Sequence, residues 1–198
     1  ERDGKTIYFV DETLVNAWCH SKKIWQHKLA PFKQILPQKR LTSTIAGALG
    51  SDGSFVYTQS KSTNIDALGA LLDKLLPHIG DPTKCVMVLD NHAAHRSHVV
   101  TQRLAVECIW VEYLPVCASF LNPIETLWAL FKGHFLRTMI EKMKQQWTKE
   151  LFDVEVQETL ERLPAAHLLS IAQGFRKTYL RYYEKPINDP EAQDARPV

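Results

Sequence analysis

The sequence predicts an α/β protein with a mixed five-stranded sheet flanked by helices. Short apolar runs rich in β-branched residues alternate with segments whose apolar residues recur at helical spacing, and the last third is helical in pattern. The predicted order is three strands, a helix, a strand, a helix, a strand and then helices. That order is typical of a hairpin-built sheet extended by strand–helix–strand crossovers.

The predicted strands follow from composition and turn signals. The Gly-Ser-Asp-Gly turn at 50–53 separates two apolar runs and predicts a β-hairpin, which with the first run makes three antiparallel strands in a row. Residues 12–40 lack a clean period, so irregular structure or a weak strand at 23–26 is expected. The predicted strands are residues 6–11, 41–49, 54–59, 84–89 and 107–113.

The predicted helices follow from apolar residues three and four positions apart. Asn64 can cap the first helix, and Asn122 followed by Pro123 is a favourable start for the third. The predicted helices are residues 64–79, 95–105, 122–144, 149–163 and 167–183.

Composition bounds the class of protein. A chain of 198 residues with 45% hydrophobic residues can form one well-buried domain, which we place at 1–184, followed by a polar, proline-containing and flexible tail at 185–198. A net charge of +2 neither demands nor excludes a nucleic-acid partner. Without a run of transmembrane length or a signal-peptide pattern, we expect a protein that is neither secreted nor membrane-bound.

The four cysteines include no CxxC pair. Cys85 and Cys108 lie within or beside apolar runs, which predicts reduced, buried thiols. A zinc site from Cys19, His20 and the histidines at 92, 95 and 98 would match no structural zinc spacing.

Two aspartates and one glutamate are the candidate chemical groups. Asp11 and Asp90 each close an apolar run, and strand alternation places each on the face of the apolar side chains two and four positions earlier. Each acid alone has a structural alternative: a solvated carboxylate, a helix cap or, for Glu125, a capping box with Asn122. Together, three acids at one sheet edge would suit two Mg²⁺ ions about 3.5 to 4 Å apart, which can drive phosphodiester displacement.

Three blocks resemble the signature blocks of DDE transposases of the mariner superfamily and its bacterial insertion-sequence relatives. They are FVDET at 9–13, LDNHAAH at 89–95 and LNPIETLWALFK at 121–132. Positions 91–124 place 34 residues between the second and third acids, the spacing of that superfamily's D-D-E variety. The resemblance implies a ribonuclease H-like fold in which Asp11, Asp90 and Glu125 are the catalytic acids that bind Mg²⁺ or Mn²⁺, with two ions expected.

Four further residues of these blocks are candidates for supporting roles. Asn91 and His95 match the second block and would shape the loop beside the site, or be only a turn asparagine and a helix-start histidine. Lys132 lies two turns after the glutamate and would meet a phosphate or remain a solvated lysine. Glu12 points away from the first aspartate, so we expect it to support the site or to be structural.

The implied function is cleavage and strand transfer at transposon ends. Water attacks a phosphodiester, and the freed 3′-hydroxyl then attacks target DNA. Implied partners are double-stranded DNA with terminal inverted repeats, a TA target and a second copy in a homodimer, in a eukaryotic nucleus or a bacterial cytoplasm and nucleoid. The chain begins almost inside its first strand, which suggests a fragment without the helix-turn-helix that the family usually carries upstream.

One departure from the family and two rival functions remain. Many relatives carry a Pro-Tyr-Ser-Pro-Asp-type loop where residues 116–120 read VCASF, so the loop's rigidity and DNA contacts are expected to differ. The rivals are another ribonuclease H-like nuclease, which should prefer RNA–DNA hybrids, and a domesticated, non-catalytic DNA-binding domain. Asp90→Asn should abolish cleavage by an enzyme but leave the binding of a non-enzyme intact.

Overall fold

The computed structural model describes residues 4–17, 41–60, 65–142 and 146–183. Its strands are β1 (Thr6–Asn16), β2 (Thr42–Gly50), β3 (Phe55–Ser60), β4 (Cys85–Leu89) and β5 (Trp110–Tyr113). Its helices are α1 (Ile65–Leu75), α2 (His98–Val106), α3 (Ile124–Glu141), α4 (Lys149–Glu161) and α5 (Ala165–Tyr183). The weak strand at 23–26, the cap at Asn64 and the tail at 185–198 lie outside the described residues.

The strands form one mixed sheet in the order β3-β2-β1-β4-β5. The first three strands are antiparallel neighbours, while β4 and β5 continue the sheet in parallel. This arrangement, with helices packed on both faces, confirms the predicted fold class. In the part of the chain that the structure describes, no helix is both long and apolar enough to cross a bilayer.

Strand β1 is the centre of the sheet. It pairs with β2 as far as Asn16 but with β4 only from Thr6 to Phe9. The prediction that the first strand ends at Asp11 is therefore wrong, because β2 continues to pair with it. Asp11 nevertheless lies at a structural boundary, since the neighbouring β4 has already ended there.

Each face of the sheet has its own apolar core. Phe9 and Val15 of β1 pack with α3, α4 and α5, whereas Tyr8 and Val10 pack with α1 and α2. Because side chains alternate along a strand, position 11 belongs to the α3 face and Glu12 to the α1–α2 face. This is the division that the sequence predicted.

The junction between α2 and β5 differs from the prediction. Cys108 has a left-handed φ of 57°, and its N–H donates to the Ala105 carbonyl while the N–H of Ile109 donates to Leu104. These two bonds form a Schellman motif, which ends a helix and usually has glycine at the left-handed position. Because the motif uses the residues after α2, β5 begins later than the predicted residue 107. The prediction that Cys108 is buried is also wrong, since its side chain is exposed. Cys85 is buried with a free thiol, as predicted.

The start of α3 is attached to β1 through Asn122. The Oδ1 of this buried side chain accepts from the N–H of Ile124 at 3.3 Å, and its Nδ2 donates to the Val10 carbonyl at 3.2 Å. The backbone N–H of Asn122, which a capping-box glutamate would use, donates instead to Ser119 at 2.8 Å. The capping-box explanation of Glu125 is therefore not supported, and the acid is exposed.

Candidate active site

Asp11 and Asp90 come to one edge of the sheet. The parallel pairing of β1 with β4 matches Phe9 with Val88, so two residues further along Asp11 comes level with Asp90. Both carboxylates are partly buried. The cause is local: β4 ends just before Asp90, while β1 continues past its own aspartate.

The electrostatic environment of Asp11 includes acids from all three sequence blocks. Burial raises the pKa of its carboxyl to about 7, the charge of Glu125 contributes next, and the charges of Glu12 and Asp90 add to the increase. A hydrogen bond from the Glu12 backbone acts in the opposite direction. Like charges raise a carboxyl pKa, and the exposed glutamate at the start of α3 is the acid whose charge acts most strongly on the first aspartate.

Asp11 also accepts a hydrogen bond from a buried tryptophan. The indole Nε1 of Trp128, one turn beyond Glu125 on α3, donates to Oδ2 of the aspartate at 3.1 Å. Gly47 pairs with Asp11 across β1 and β2. The sequence alone singles out neither the tryptophan nor this glycine as part of the site.

His95 is buried between two carboxylates. Its Nδ1 lies 2.6 Å from Oδ1 of Asp90, and its Nε2 lies 3.1 Å from each carboxylate oxygen of Glu12. Burial lowers the pKa of the imidazole, but hydrogen bonds and charges from the two acids outweigh burial and raise it to about 9. The expected helix-start position is wrong, because α2 begins only at residue 98 and His95 lies in the preceding turns. The imidazole thus connects β1 to the loop after β4.

The loop after β4 is also attached to β5. Asn91 Nδ2 donates to the Leu114 carbonyl at 2.6 Å, and the Tyr113 hydroxyl donates to the His95 carbonyl at 3.1 Å. The N–H of His92 donates to Oδ1 of Asp90 at 2.9 Å. These bonds fix the loop that carries the second aspartate.

Lys132 and the suggested zinc ligands complete the set of predicted residues. Lys132 is partly exposed on α3, two turns beyond the glutamate. Cys19 and His20 lie outside the described residues, and both ring nitrogens of His95 already contact carboxylates.

The acids do not form a closed metal cage. Within residues 4–17, 41–60, 65–142 and 146–183, no three His, Cys, Asp or Glu side chains are grouped so that they could hold an ion by themselves. Mg²⁺ is usually bound through one or two carboxylates, with waters and substrate phosphates as its other ligands. An open arrangement of acids is compatible with that mode of binding.

The fold and the acidic edge define a class of protein, the ribonuclease H-like domains with carboxylates beside the central strand. Residues 6–146 match the family described as DDE superfamily endonuclease, and the chain belongs to that family. No curated protein matches the chain.

Solved structures of the Mos1 mariner transposase share the fold. The strand transfer complex matches with a TM-score of 0.59 and 14% identity, covering 87% of this chain and 52% of the Mos1 chain. The paired end complex with Mn matches at 0.56 and 15%, covering 87% and 53%. The isolated catalytic domain matches at 0.55 and 13%, covering 87% and 78%. The chain therefore spans about half the length of the Mos1 chains in the DNA complexes.

Proposed function

We propose that this chain is the catalytic domain of a mariner-type DDE transposase, which cuts DNA at transposon ends and joins the freed ends to target DNA. The observation that supports this most directly is the parallel register that brings Asp11 level with Asp90 at one edge of the sheet. Burial and the charges of Glu125, Glu12 and Asp90 raise the pKa of the Asp11 carboxyl there. A bound cation relieves such repulsion between carboxylates. Membership of the DDE family and the fold shared with Mos1 support the same reaction.

The residues fit a hard divalent cation. Asp11, Asp90 and Glu125 would hold two Mg²⁺ or Mn²⁺ ions, since such ions prefer carboxylate oxygens. When bound, the ions supply an activated nucleophile and neutralise the leaving oxygen. The protein's own part is to position the acids: His95 contacts the second aspartate, and Asn122 attaches the start of α3 to β1.

The proposed reaction is displacement at phosphorus. A water oxygen forms a bond to the phosphorus, the bond to the DNA 3′-oxygen breaks, and that oxygen leaves as a 3′-hydroxyl. The oxygen of this hydroxyl then forms a bond to a phosphorus of target DNA and gives up its proton. The bond from that phosphorus to the target's 3′-oxygen breaks, and this oxygen takes up a proton and stays on the target strand as a 3′-hydroxyl. The protein contributes orientation and charge stabilisation, and no covalent enzyme intermediate is needed.

The proposed substrate is double-stranded DNA, with a homodimer in the active complex and a location in the nucleus or the bacterial nucleoid. Among the structural matches, Mos1 is present in a paired-end complex with a transposon end and in a strand transfer complex. These likenesses support the choice of DNA as the partner.

A nicking assay on supercoiled plasmid DNA tests the proposal. With Mn²⁺ or Mg²⁺, the chain should produce nicked circles, and Asp11→Asn, Asp90→Asn and Glu125→Gln should each reduce nicking to background. Circular dichroism of each variant checks that its fold is retained.

The same assay separates the rival functions. Faster cleavage of an RNA–DNA hybrid than of duplex DNA would identify another ribonuclease H-like nuclease. DNA binding without any metal-dependent nicking, unchanged in Asp90→Asn, would indicate a non-catalytic domain and contradict the proposal.

A further inference from the structure

We infer that Trp128 is a positioning residue for the Asp11 carboxylate and that Gly47 is the position that admits its indole. The inference rests on the proposed function, in which this aspartate binds a divalent cation. It concerns two residues far apart in the sequence, on α3 and β2.

The first observation is the hydrogen bond itself. Trp128 is only 2% exposed, and an indole N–H can donate but not accept. A buried donor of this kind needs an acceptor, and here it donates to Oδ2 of Asp11 at 3.1 Å. The contact joins residues 117 positions apart, so it depends on how α3 is placed on the sheet.

The second observation is steric. A Cβ atom at position 47 would lie 2.7 Å from Cη2 and 3.1 Å from Cζ2 of the Trp128 indole. Gly47 pairs with Asp11 in the middle of β2, where a glycine weakens a strand unless another group approaches closely. The approaching groups are the indole, which comes nearest, and the Phe55 ring, whose Cε2 would lie 3.0 Å from that Cβ.

The third observation is that the indole is held from other sides as well. Phe55 of β3 meets Trp128 edge to face, with 6.0 Å between ring centroids and an interplanar angle of 70°. The indole also belongs to the apolar core between the sheet and α3 to α5. Its N–H is therefore directed by packing, and the carboxylate that accepts from it is fixed in turn.

A fixed carboxylate oxygen has a consequence for metal binding. Hydrogen-bond partners of metal ligands orient those ligands, and removing one typically reduces metal affinity by about 10- to 100-fold. Trp128→Phe keeps an aromatic ring in the core but removes the N–H donor, so it should weaken Mn²⁺ binding by roughly that factor. Gly47→Ala should act in the same direction by displacing the indole.

Trp110→Phe is the matched control. Trp110 of β5 is 61% exposed, and its Nε1 donates to Oε1 of Glu112 at 2.7 Å. The control thus removes the same kind of indole–carboxylate bond from the surface and should leave Mn²⁺ binding unchanged.

The experiment measures the free Mn²⁺ signal by electron paramagnetic resonance while the protein is titrated without DNA. Wild type, Asp11→Asn, Trp128→Phe, Gly47→Ala and Trp110→Phe are compared, with thermal unfolding recorded separately. If Trp128→Phe does not fold, benzothienylalanine at position 128 replaces the N–H by sulfur in a side chain of nearly the same shape.

Two different failures can be distinguished. If the donor-free side chain at 128 binds Mn²⁺ as wild type does, while Asp11→Asn does not, the inference is overturned and the proposed function stands. If Asp11→Asn binds Mn²⁺ as wild type does, the proposed metal site fails and the inference fails with it.

Discussion

At the scale of single residues, two groups at the candidate site are shifted towards their protonated forms. The pKa of Asp11 is raised to about 7, and that of His95 to about 9. In the first case burial and neighbouring acids disfavour a negative charge, and in the second case two acids stabilise a positive one. Both shifts make the metal-free protein sensitive to pH.

The first prediction concerns Asp11. Because its folded pKa is raised from 3.8 to about 7, the folded state keeps a proton between these values that the unfolded state has lost. The contribution of this proton to the stability of the folded state is complete below pH 3.8 and is lost as pH rises towards 7. The loss is at most about 1.4 kcal/mol for each unit by which folding raises the pKa. Urea unfolding without metal ions, measured at several pH values, should show a smaller decline in stability with rising pH for Asp11→Asn than for wild type. Equal slopes for the two proteins would contradict the prediction.

The second prediction concerns His95. Its folded pKa of about 9 lies above the ordinary 6.5, so its stabilising contribution is complete below pH 6.5 and lost as pH rises through 9. The imidazole NMR resonances of His95 should titrate near pH 9 in the wild-type protein. Glu12→Gln should lower that value, because it removes a charge hydrogen-bonded to Nε2. An unchanged His95 titration in Glu12→Gln would contradict the contact between Nε2 and the Glu12 carboxylate.

Single residues also show what the sequence could and could not predict. Strand alternation correctly assigned Asp11 and Glu12 to opposite faces, since it depends only on neighbours in the chain. The hydrogen bond from Trp128 to Asp11 left no local pattern, because it depends on the placement of α3 across the sheet. Gly47 was missed for the same reason: its partner is defined by strand register.

At the scale of secondary-structure elements, the placement of α3 determines where the third acid lies. Asn122 bonds at once to the backbone of β1 and to the first turn of the helix. Because Val10 immediately precedes Asp11, this anchor fixes the helix start beside the first aspartate. The Asn-Pro start predicted the helix, whereas the anchor to β1 could not be predicted from local sequence.

The third prediction tests that anchor. Asn122→Ala removes a cap and leaves the buried Val10 carbonyl without its amide donor, so it should cost about 1–3 kcal/mol of stability. It should also weaken Mn²⁺ binding, because Glu125 loses its fixed position. Urea unfolding and Mn²⁺ titration measure the two effects. A stability loss with unaltered Mn²⁺ affinity would show that the anchor does not position the acid.

The fourth prediction concerns the end of α2. Cys108 occupies a left-handed position that costs an L-residue about 1–2 kcal/mol and that glycine adopts freely. Cys108→Gly should therefore raise the free energy of unfolding by about 1 kcal/mol, measured in urea under reducing conditions. Cys108→Ala should give no such gain. The late start of β5 escaped prediction because a cysteine gives no sequence signal for this turn.

At the scale of the whole molecule, the core on the α3 face extends beyond the part that matches the DDE family. The match ends at residue 146, whereas this core includes Phe152, Val156 and Leu160 of α4 and Leu168 and Ala172 of α5. The two last helices therefore belong to the same folding unit as the sheet. Their helical periodicity made them predictable as elements, but their contacts were not.

The fifth prediction follows from this shared core. A chain ended after residue 146 should lose its fixed tertiary packing, because the sheet face would be left without α4 and α5. Near-ultraviolet circular dichroism should show the loss, and size-exclusion chromatography should show association through the exposed core. A chain ended after residue 183 is the control and should remain folded and monodisperse.

The position of β1 in the middle of the sheet also bears on how the protein is made. A ribosome releases β1 first, but its parallel neighbour β4 emerges only after residue 89, and the helix that carries Glu125 later still. The nascent chain can pair β1 with β2 early, but Asp11, Asp90 and Glu125 cannot come together until α3 has been synthesised. The candidate site is thus absent from the growing polypeptide until α3 has left the ribosome and packed against the sheet.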